Sequence, residues 1–360
     1  IAPYYFAIFN PSISTQVRDV KNFPIIIDDE KDVQITSLAK ENVEICREDW
    51  NLKETSWDYR GNPLCRGTRL EDSYEIYKEE CLGRFNRLKE NEETINKLFI
   101  GIYNLQNELD YKVPDEQVSV RLADRERDVK ELISYAVGCM FGRYSLDVSG
   151  VAYAGGEFEN SKYTKFSYDR DGIIPICDDD YFEDDITGLF IKFISKVFGE
   201  EYLEDNLKFI ADSLSDKGNA RDIIRNYFLN DFYNDHVKMY QKRPIYWLFD
   251  SGRKNGFKCL VYIHRYQADT VARIRTDYVH EQQSRYQTAI EEIGNRLLIV
   301  NGSEKVKVSK QLKKLQEQAE EIHKYEEKVH HIADKMISLD MRDGVKANYA
   351  KLQDVLAKIK

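Results

Sequence analysis

Proline is scarce in this chain, seven in 360 residues, and that scarcity favours long helices over a loop-rich all-β fold. No apolar run is long enough to cross a bilayer, and no signal peptide is visible. The six cysteines, Cys46, Cys65, Cys81, Cys139, Cys177 and Cys259, are dispersed without a CxxC pair. That spacing speaks against a zinc ribbon or a disulfide framework and for reduced, buried thiols in a cytoplasmic protein. A glycine-rich phosphate loop is missing. Gly155-Gly156 lacks the spacing and the strand–helix context, and no GxxxxGK[ST] occurs. The chain opens IAPYYFAIFN, without methionine and in mid-pattern, so we expect it to be a piece of something larger.

What is present is globular material. The chain is 42% hydrophobic and 32% charged, with 24 tyrosines and a net charge of −10. The size allows two or three domains. The acidity excludes indiscriminate coating of nucleic acid, so any such contact must be local.

The hydropathy pattern predicts an α+β fold that is predominantly α-helical. Residues 1–27 read as a short helix, a turn at Asn10-Pro11 and a strand-like FPIII, closed by the acidic DDEKD. A short amphipathic helix is expected at 36–49. A long helix is expected over 70–109, with a heptad seam through Tyr74, Tyr77, Cys81, Leu88, Ile95, Leu98, Ile102, Leu105 and Leu109, interrupted at Arg84 and Asn91. Residues 122–144 form a second clear helix. A Gly/Tyr/Asp-rich loop over 145–185 carries a strand at 173–177. Helices follow at 187–198, 202–213 and 219–240, then a hairpin of 244–249 and 257–264, and a helix at 268–298 ended by Asn301-Gly302. A last heptad helix covers 305–339, with Glu326 as its exception. The two heptad helices invite antiparallel pairing. These elements suggest four parts: a tail of a target-recognition region (1–35), a helical spacer (36–112), a mixed domain with a basic hairpin (113–300) and a C-terminal heptad helix with its tail (301–360).

Several constellations have residue types that could carry chemistry. Asp115, Asp128 and Lys130 can be forced into a nuclease-like pattern, but Asp128 and Lys130 fall on a charged helix face. The cluster Asp178, Asp179, Asp180, Glu183, Asp184 and Asp185 lacks calcium-loop spacing and reads as a solvated turn before a helix N-terminus. His323, Glu327 and His331 share one helix face, more simply a charged face than a zinc site. The remaining feature is a basic island. From Lys217 to Arg285 there are thirteen Lys/Arg against seven Asp/Glu. Two aromatic-rich, exposed-looking runs flank the turn DSGRKNG, whose Arg253 and Lys254 would project from a hairpin tip. Lys242, Arg243, Lys258 and Arg265 flank the strands, and Arg273 and Arg275 open the next helix. Such residues suit phosphate contacts. The alternative is an ordinary surface with internal ion pairs to Asp250, Asp269 and Asp277.

Three stretches carry a resemblance: VSVRLADRERDVKELISYAVGCMFGRYSLD (118–147), KRPIYWLFDSGRKNGFKCLVYIHRYQADTVARIRTDYV (242–279) and MRDGVKANYAKLQ (341–353). They resemble the C-terminal part of the PglX family, the adenine-specific DNA methyltransferases of type 1 BREX phage-defence systems. The opening NPSISTQVRDVKNFPIII (10–27) is similar to the segment that ends target-recognition regions in class-gamma adenine methyltransferases. The resemblance implies N6-adenine methylation of double-stranded DNA with S-adenosylmethionine by a full-length parent. It also implies partnership with an N-terminal methyltransferase portion and with other BREX proteins. The chain departs from the full pattern. It lacks the Asn/Asp-Pro-Pro-aromatic motif that holds a flipped adenine, since IAPYYF and FNPSI do not match, and it lacks the cofactor motif. No catalytic residue, cofactor site or metal site is therefore carried over. The expectation is a non-catalytic fragment that positions DNA, with a protein-interaction module as the alternative.

Overall fold

The structure, a computed structural model, describes residues 2–9, 14, 16–215 and 217–359. It is about 60% helical with one small antiparallel sheet, which bears out the predominantly helical α+β expectation. The chain divides into two compact units. One comprises Ile1–Tyr59 and Asp72–Asp124, the other Arg60–Glu71 and Arg125–Lys360.

The first unit contains α1 (Ala2–Phe9), α2 (Val17–Lys21), α3 (Asp29–Asn51) and all but the first two residues of α4 (Leu70–Ile102). The acidic DDEKD opens a helix instead of closing a segment. Asp28 is the N-cap and accepts the Lys31 N–H, and Asp29, Glu30 and Asp32 fill the first turn. Carboxylates there complement the helix dipole and the free N–H groups. The strand expected at FPIII does not form. Ile25 and Ile27 are largely exposed, and none of the described strands pairs with them. The turn at Asn10-Pro11 lies outside the described residues. α4 stops at Ile102, short of the expected 109. Asn104 enters the left-handed region at φ 54°, and the Leu105 N–H bonds the Ile100 carbonyl at 3.0 Å, a left-handed helix stop. Phe85 and Leu88 of α4 pack with Ile45 of α3 and with Val113, Val118 and Val120. Asn91 interrupts the seam because it bonds Asn42 at 2.9 Å. Beside it Arg87 grips Glu41 with two bonds of 2.7 and 2.9 Å.

The second unit begins its regular structure with α5 (Arg125–Met140) and β1 (Ile173–Pro175). Next come α6 (Ile186–Phe198), α7 (Leu203–Leu214), α8 (Ala220–Asn230) and α9 (Phe232–Met239). The single helix expected at 219–240 is thus two, broken at Asp231. The hairpin is β2 (Tyr246–Asp250) and β3 (Lys258–Tyr262). The helix expected at 268–298 is α10 (Thr270–Arg273), a π-helical segment (Ile274–Val279) and α11 (His280–Ile299). Finally come α12 (Gly302–Ala333) and α13 (Gly344–Lys351).

The sheet runs β1-β3-β2. Register places Ile173 beside Val261 and Val261 beside Trp247, and likewise Pro175, Cys259 and Phe249. Side chains alternate across a strand. Ile173, Val261, Trp247, Cys259 and Phe249 therefore share one face, packed in a cluster with Ile274, Tyr278, Ile322, Tyr325, Val329 and Leu356. On the other face Tyr246 stacks on Phe141 (5.1 Å) and on His236 (4.7 Å). Both faces are covered, so the aromatic runs are core and not exposed surface: Tyr246, Trp247, Phe249 and Tyr262 are at most 1% exposed. The outer edge of β2 is covered as well. The Asp250 N–H bonds the Val355 carbonyl (3.1 Å), and the Ala357 N–H bonds the Leu248 carbonyl (2.8 Å). An edge strand closed by backbone in this way cannot pair with a stray chain. The helix packed along α12 is α11, its neighbour in sequence. Glu326 breaks the α12 seam because it accepts from Arg275 at 2.6 Å.

Candidate nucleic-acid interface

The eight cations singled out from the sequence meet different fates. Lys242, Arg243 and Arg253 are exposed, with no side-chain partner among the described residues. Lys254 pairs with Glu317 at 2.6 Å. Lys258 is mostly buried and donates to the Leu229 carbonyl at 2.7 Å. Burial pulls its ammonium below the ordinary lysine value, against the attraction of Asp250 and Glu321. Arg265 donates to the Asp169 and Arg170 carbonyls, both at 2.6 Å, and lies over the rings of Phe158 and Tyr168. Burial depresses its pKa too. Arg273 sits 3.6 Å from Asp269, and Arg275 is paired with Glu326.

The hairpin tip does not project. Glu321 of α12 accepts from Ser251 Oγ (2.8 Å), Lys254 N–H (2.9 Å) and Gly256 N–H (3.0 Å). Gly256 permits this approach: a Cβ there would stand 2.7 Å from the Gln318 carbonyl oxygen. The tip is a pinned structural element; of its two exposed cations Lys254 is paired, and Arg253 has no side-chain partner among the described residues.

Arg265 and Arg273 do converge. With Arg170, Asp171, His264, Tyr153, Phe158, Tyr266 and Gln267 they line a cleft of about 390 Å³. Burial, and then Arg143, lower the His264 pKa. Arg170 also lines a second cleft of about 510 Å³, together with Lys165, Lys192, Lys196 and Asp169. The sequence reading did not single out Lys165, Arg170, Lys192 or Lys196. The available signal was Lys192 and Lys196 at i,i+4 on a helix whose other face is apolar, a spacing that any solvated helix face shares.

The acidic cluster leads into a helix N-terminus as expected, and Asp179, Asp180 and Glu183 are exposed, but its carboxylates are also tied to other elements. Asp185 caps α6, accepting from the Thr187 and Gly188 N–H groups. Asp178 pairs with Lys314 (2.6 Å), Asp179 with Arg285 and Asp180 with Arg225. It is a strap tied by ion pairs to α8, α11 and α12. The nuclease-like residues each have other partners: Asp115 with Lys89 (2.6 Å), Asp128 with Arg127 (2.8 Å), and Lys130 with Glu126 (2.7 Å) and Asp235 (3.1 Å). His323, Glu327 and His331 are exposed on α12, and among the described residues no His/Cys/Asp/Glu group is arranged to hold a metal.

No family model matches the chain. It is 41% identical over 363 residues to the adenine-specific methyltransferase PglX of Lacticaseibacillus casei (strain Zhang), covering 97% of this chain and 30% of that protein. It is 37% identical over 390 residues to the adenine-specific methyltransferase BrxX of Escherichia coli O9:H4 (strain HS), covering 99% of this chain and 32% of that protein. The chain spans about a third of the length of these curated relatives. The resemblance read from the sequence is borne out: along nearly its whole length the chain matches a C-terminal part of the PglX and BrxX adenine-specific methyltransferases.

Proposed function

We propose that this chain is the non-catalytic C-terminal part of an N6-adenine DNA methyltransferase of a BREX phage-defence system. Its task is to hold duplex DNA in place for a methyltransferase portion that lies elsewhere. The observation that carries this reading is the similarity, over 97–99% of the chain, to proteins named adenine-specific methyltransferases. Unpaired surface cations in an acidic chain support it, because phosphate contacts supply most non-specific affinity for DNA.

The parent would use S-adenosylmethionine, which supplies the methyl group when bound. This chain's own residues do not fit that cofactor. Gly155 and Gly156 lie in irregular backbone, followed only by the short turn Asn160–Lys162, and a dinucleotide-type cradle needs a strand before and a helix after. What the chain offers is binding and orientation. Filter binding to duplex DNA at about 50 and 200 mM salt tests the reading. Retention that falls with salt supports it, and no retention at the lower salt refutes it.

One observation favours protein docking as a second reading. On the first unit Val17, Ile25, Ile27 and Val33 are each more than 70% exposed, more apolar surface in one short stretch than scattered exposure explains. The methyltransferase portion is the partner proposed for it. Ile25→Asp with Ile27→Asp would then abolish co-purification of the two parts and leave DNA retention by this chain unchanged.

A further inference from the structure

The second unit carries two clefts that share Arg170, and one of them gathers cations, Arg170, Lys192 and Lys196, without a carboxylate partner among the described residues; Lys242, Arg243 and Arg253 are also unpaired but line neither cleft. The 510 Å³ cleft is lined by four cations, Lys165, Arg170, Lys192 and Lys196, and one carboxyl group, Asp169. Arg170, Lys192 and Lys196 are exposed and have no ion-pair partner among the described residues. The Lys165 ammonium donates to the Leu146 carbonyl, at 3.1 Å, with the Asp147 carboxylate nearby. A larger cleft of about 630 Å³ over α5, α8 and α9 is also lined by lysines. There Lys130 is held by Glu126 and Asp235, Lys238 lies 3.7 Å from Asp235, and of the three lysines Lys358 alone has no ion-pair partner among the described residues. Lys254 at the hairpin tip and Arg275 in the π-helical segment are likewise neutralised, by Glu317 and Glu326. Positive potential survives where cations lack such partners.

Asp169 does not cancel it. Its carboxyl is turned to the backbone, accepting from Gly172 N–H (2.7 Å) and Ile173 N–H (3.2 Å). Burial, reinforced by the neighbouring Asp171 charge, pushes its pKa above the ordinary aspartate value.

The cations stand on fixed supports. Lys192 and Lys196 are one turn apart on α6, whose other face buries Phe190, Phe193, Ile194 and Phe198. Thr164 and Lys165 N–H groups both bond Asp147, at 2.7 and 3.0 Å. Arg265 clamps the Arg170 carbonyl from below. Side chains mounted on held backbone lose less freedom on binding a ligand. Arg170 also lines the aromatic-walled cleft, where Arg273 lies 3.6 Å from Asp269 and Asp171 adds a carboxylate.

Resting on the reading that this chain contacts DNA, we propose that the two clefts joined at Arg170 form one groove for the DNA phosphodiester backbone. Lys165, Arg170, Lys192 and Lys196 seat successive phosphates, and the hairpin cations Lys242, Arg243 and Arg253 lie outside the main contact.

The test compares two triple variants of the full chain in fluorescence-anisotropy titrations with labelled duplex DNA. One is Arg170→Glu/Lys192→Glu/Lys196→Glu. The other is Lys242→Glu/Arg243→Glu/Arg253→Glu, equal in charge change. Circular dichroism and melting confirm that each is folded, and Gln versions repeat the comparison without added negative charge. The groove variant is expected to lose affinity at least about 10-fold and to flatten the salt dependence by about 2–3 units of log-log slope. The hairpin variant should stay within about 2-fold of the parent chain. If the hairpin variant loses affinity and the groove variant does not, this assignment falls while DNA binding stands. If both fall equally, the charge is read as a whole and the groove is overturned. If the parent chain binds no duplex, or binds an acidic protein in its place, the proposed function fails as well.

Discussion

His236 is the residue through which the second unit can be perturbed most cleanly. It is fully buried between Phe232, Tyr240 and Tyr246. Its Nε2 accepts two backbone hydrogen bonds, from the Ile245 and Tyr246 N–H groups, each at 3.1 Å. Those donors sit where the chain enters β2, so the imidazole holds the start of the hairpin. A nitrogen that accepts two N–H groups cannot carry a proton. Burial, and then the nearby Arg143, lower the His236 pKa to about 3 from an ordinary 6.5. Because the folded value is depressed, the stabilisation is fully present above pH 6.5 and is lost as pH falls toward 3. The slope is about 1.4 kcal/mol per pH unit in that window. Between about pH 6.5 and 5, before most carboxylates titrate, the loss is about 2 kcal/mol. His236→Leu keeps the volume but leaves two buried N–H groups without an acceptor, at about 1–3 kcal/mol each. Urea unfolding followed by tryptophan emission reads this unit, because Trp247 is buried while Trp50 and Trp57 of the other unit are exposed. The variant should lose about 2–6 kcal/mol at neutral pH and should show a shallower decline between pH 6.5 and 5 than the parent chain. His236→Gln, which restores an acceptor, should recover part of the loss without the pH dependence. A cost under about 1 kcal/mol, or parallel pH profiles for parent and Leu variant, would refute the reasoning.

Other perturbations have comparably specific outcomes. Gly256→Ala should destabilise by more than about 2 kcal/mol, since its Cβ would meet the Gln318 carbonyl at 2.7 Å. Gly294→Ala on α11, where nothing lies within 4 Å, should be neutral or stabilise by up to about 1 kcal/mol; thermal melts of the pair decide it. Glu321→Ala removes the acceptor of three tip hydrogen bonds. It should cost about 2–3 kcal/mol and speed amide exchange at residues 254–256. Ending the chain after Lys351 removes Leu352, Val355 and Leu356, all buried, and uncovers the β2 edge. At about 1.5–3 kcal/mol for each buried side chain, cooperative unfolding of the second unit should disappear and dye binding to exposed apolar surface should rise.

The sequence was readable where local pattern decides structure. The apolar face of α5, the hairpin strands and the stop at Asn301-Gly302 follow from periodicity and turn chemistry, and they lie close to where they were expected. Legibility failed where a distant partner decides. The DDEKD run reads as a terminator until its position before an amphipathic stretch makes it a cap and first turn. Asn91 and Glu326 look like defects in two seams, and each is explained by a partner about fifty residues away, Asn42 or Arg275. The cations of the basic island could not be sorted by composition. Lys258 and Arg265 are consumed by backbone carbonyls, while Lys242, Arg243 and Arg253 have no side-chain partner among the described residues. Nothing in their local sequence distinguishes the two groups, because burial and pairing arise only when the sheet, α6 and the Tyr-rich loop come together.

The salt dependence of this chain's affinity for duplex DNA is the most direct measurement of a phosphate-binding role. If a groove of about four cations neutralises phosphates, log affinity should fall against log salt with a slope of about −3 to −4. That amounts to roughly 10²-fold between 50 and 200 mM. A slope near zero, or no binding at the lowest salt, would contradict it.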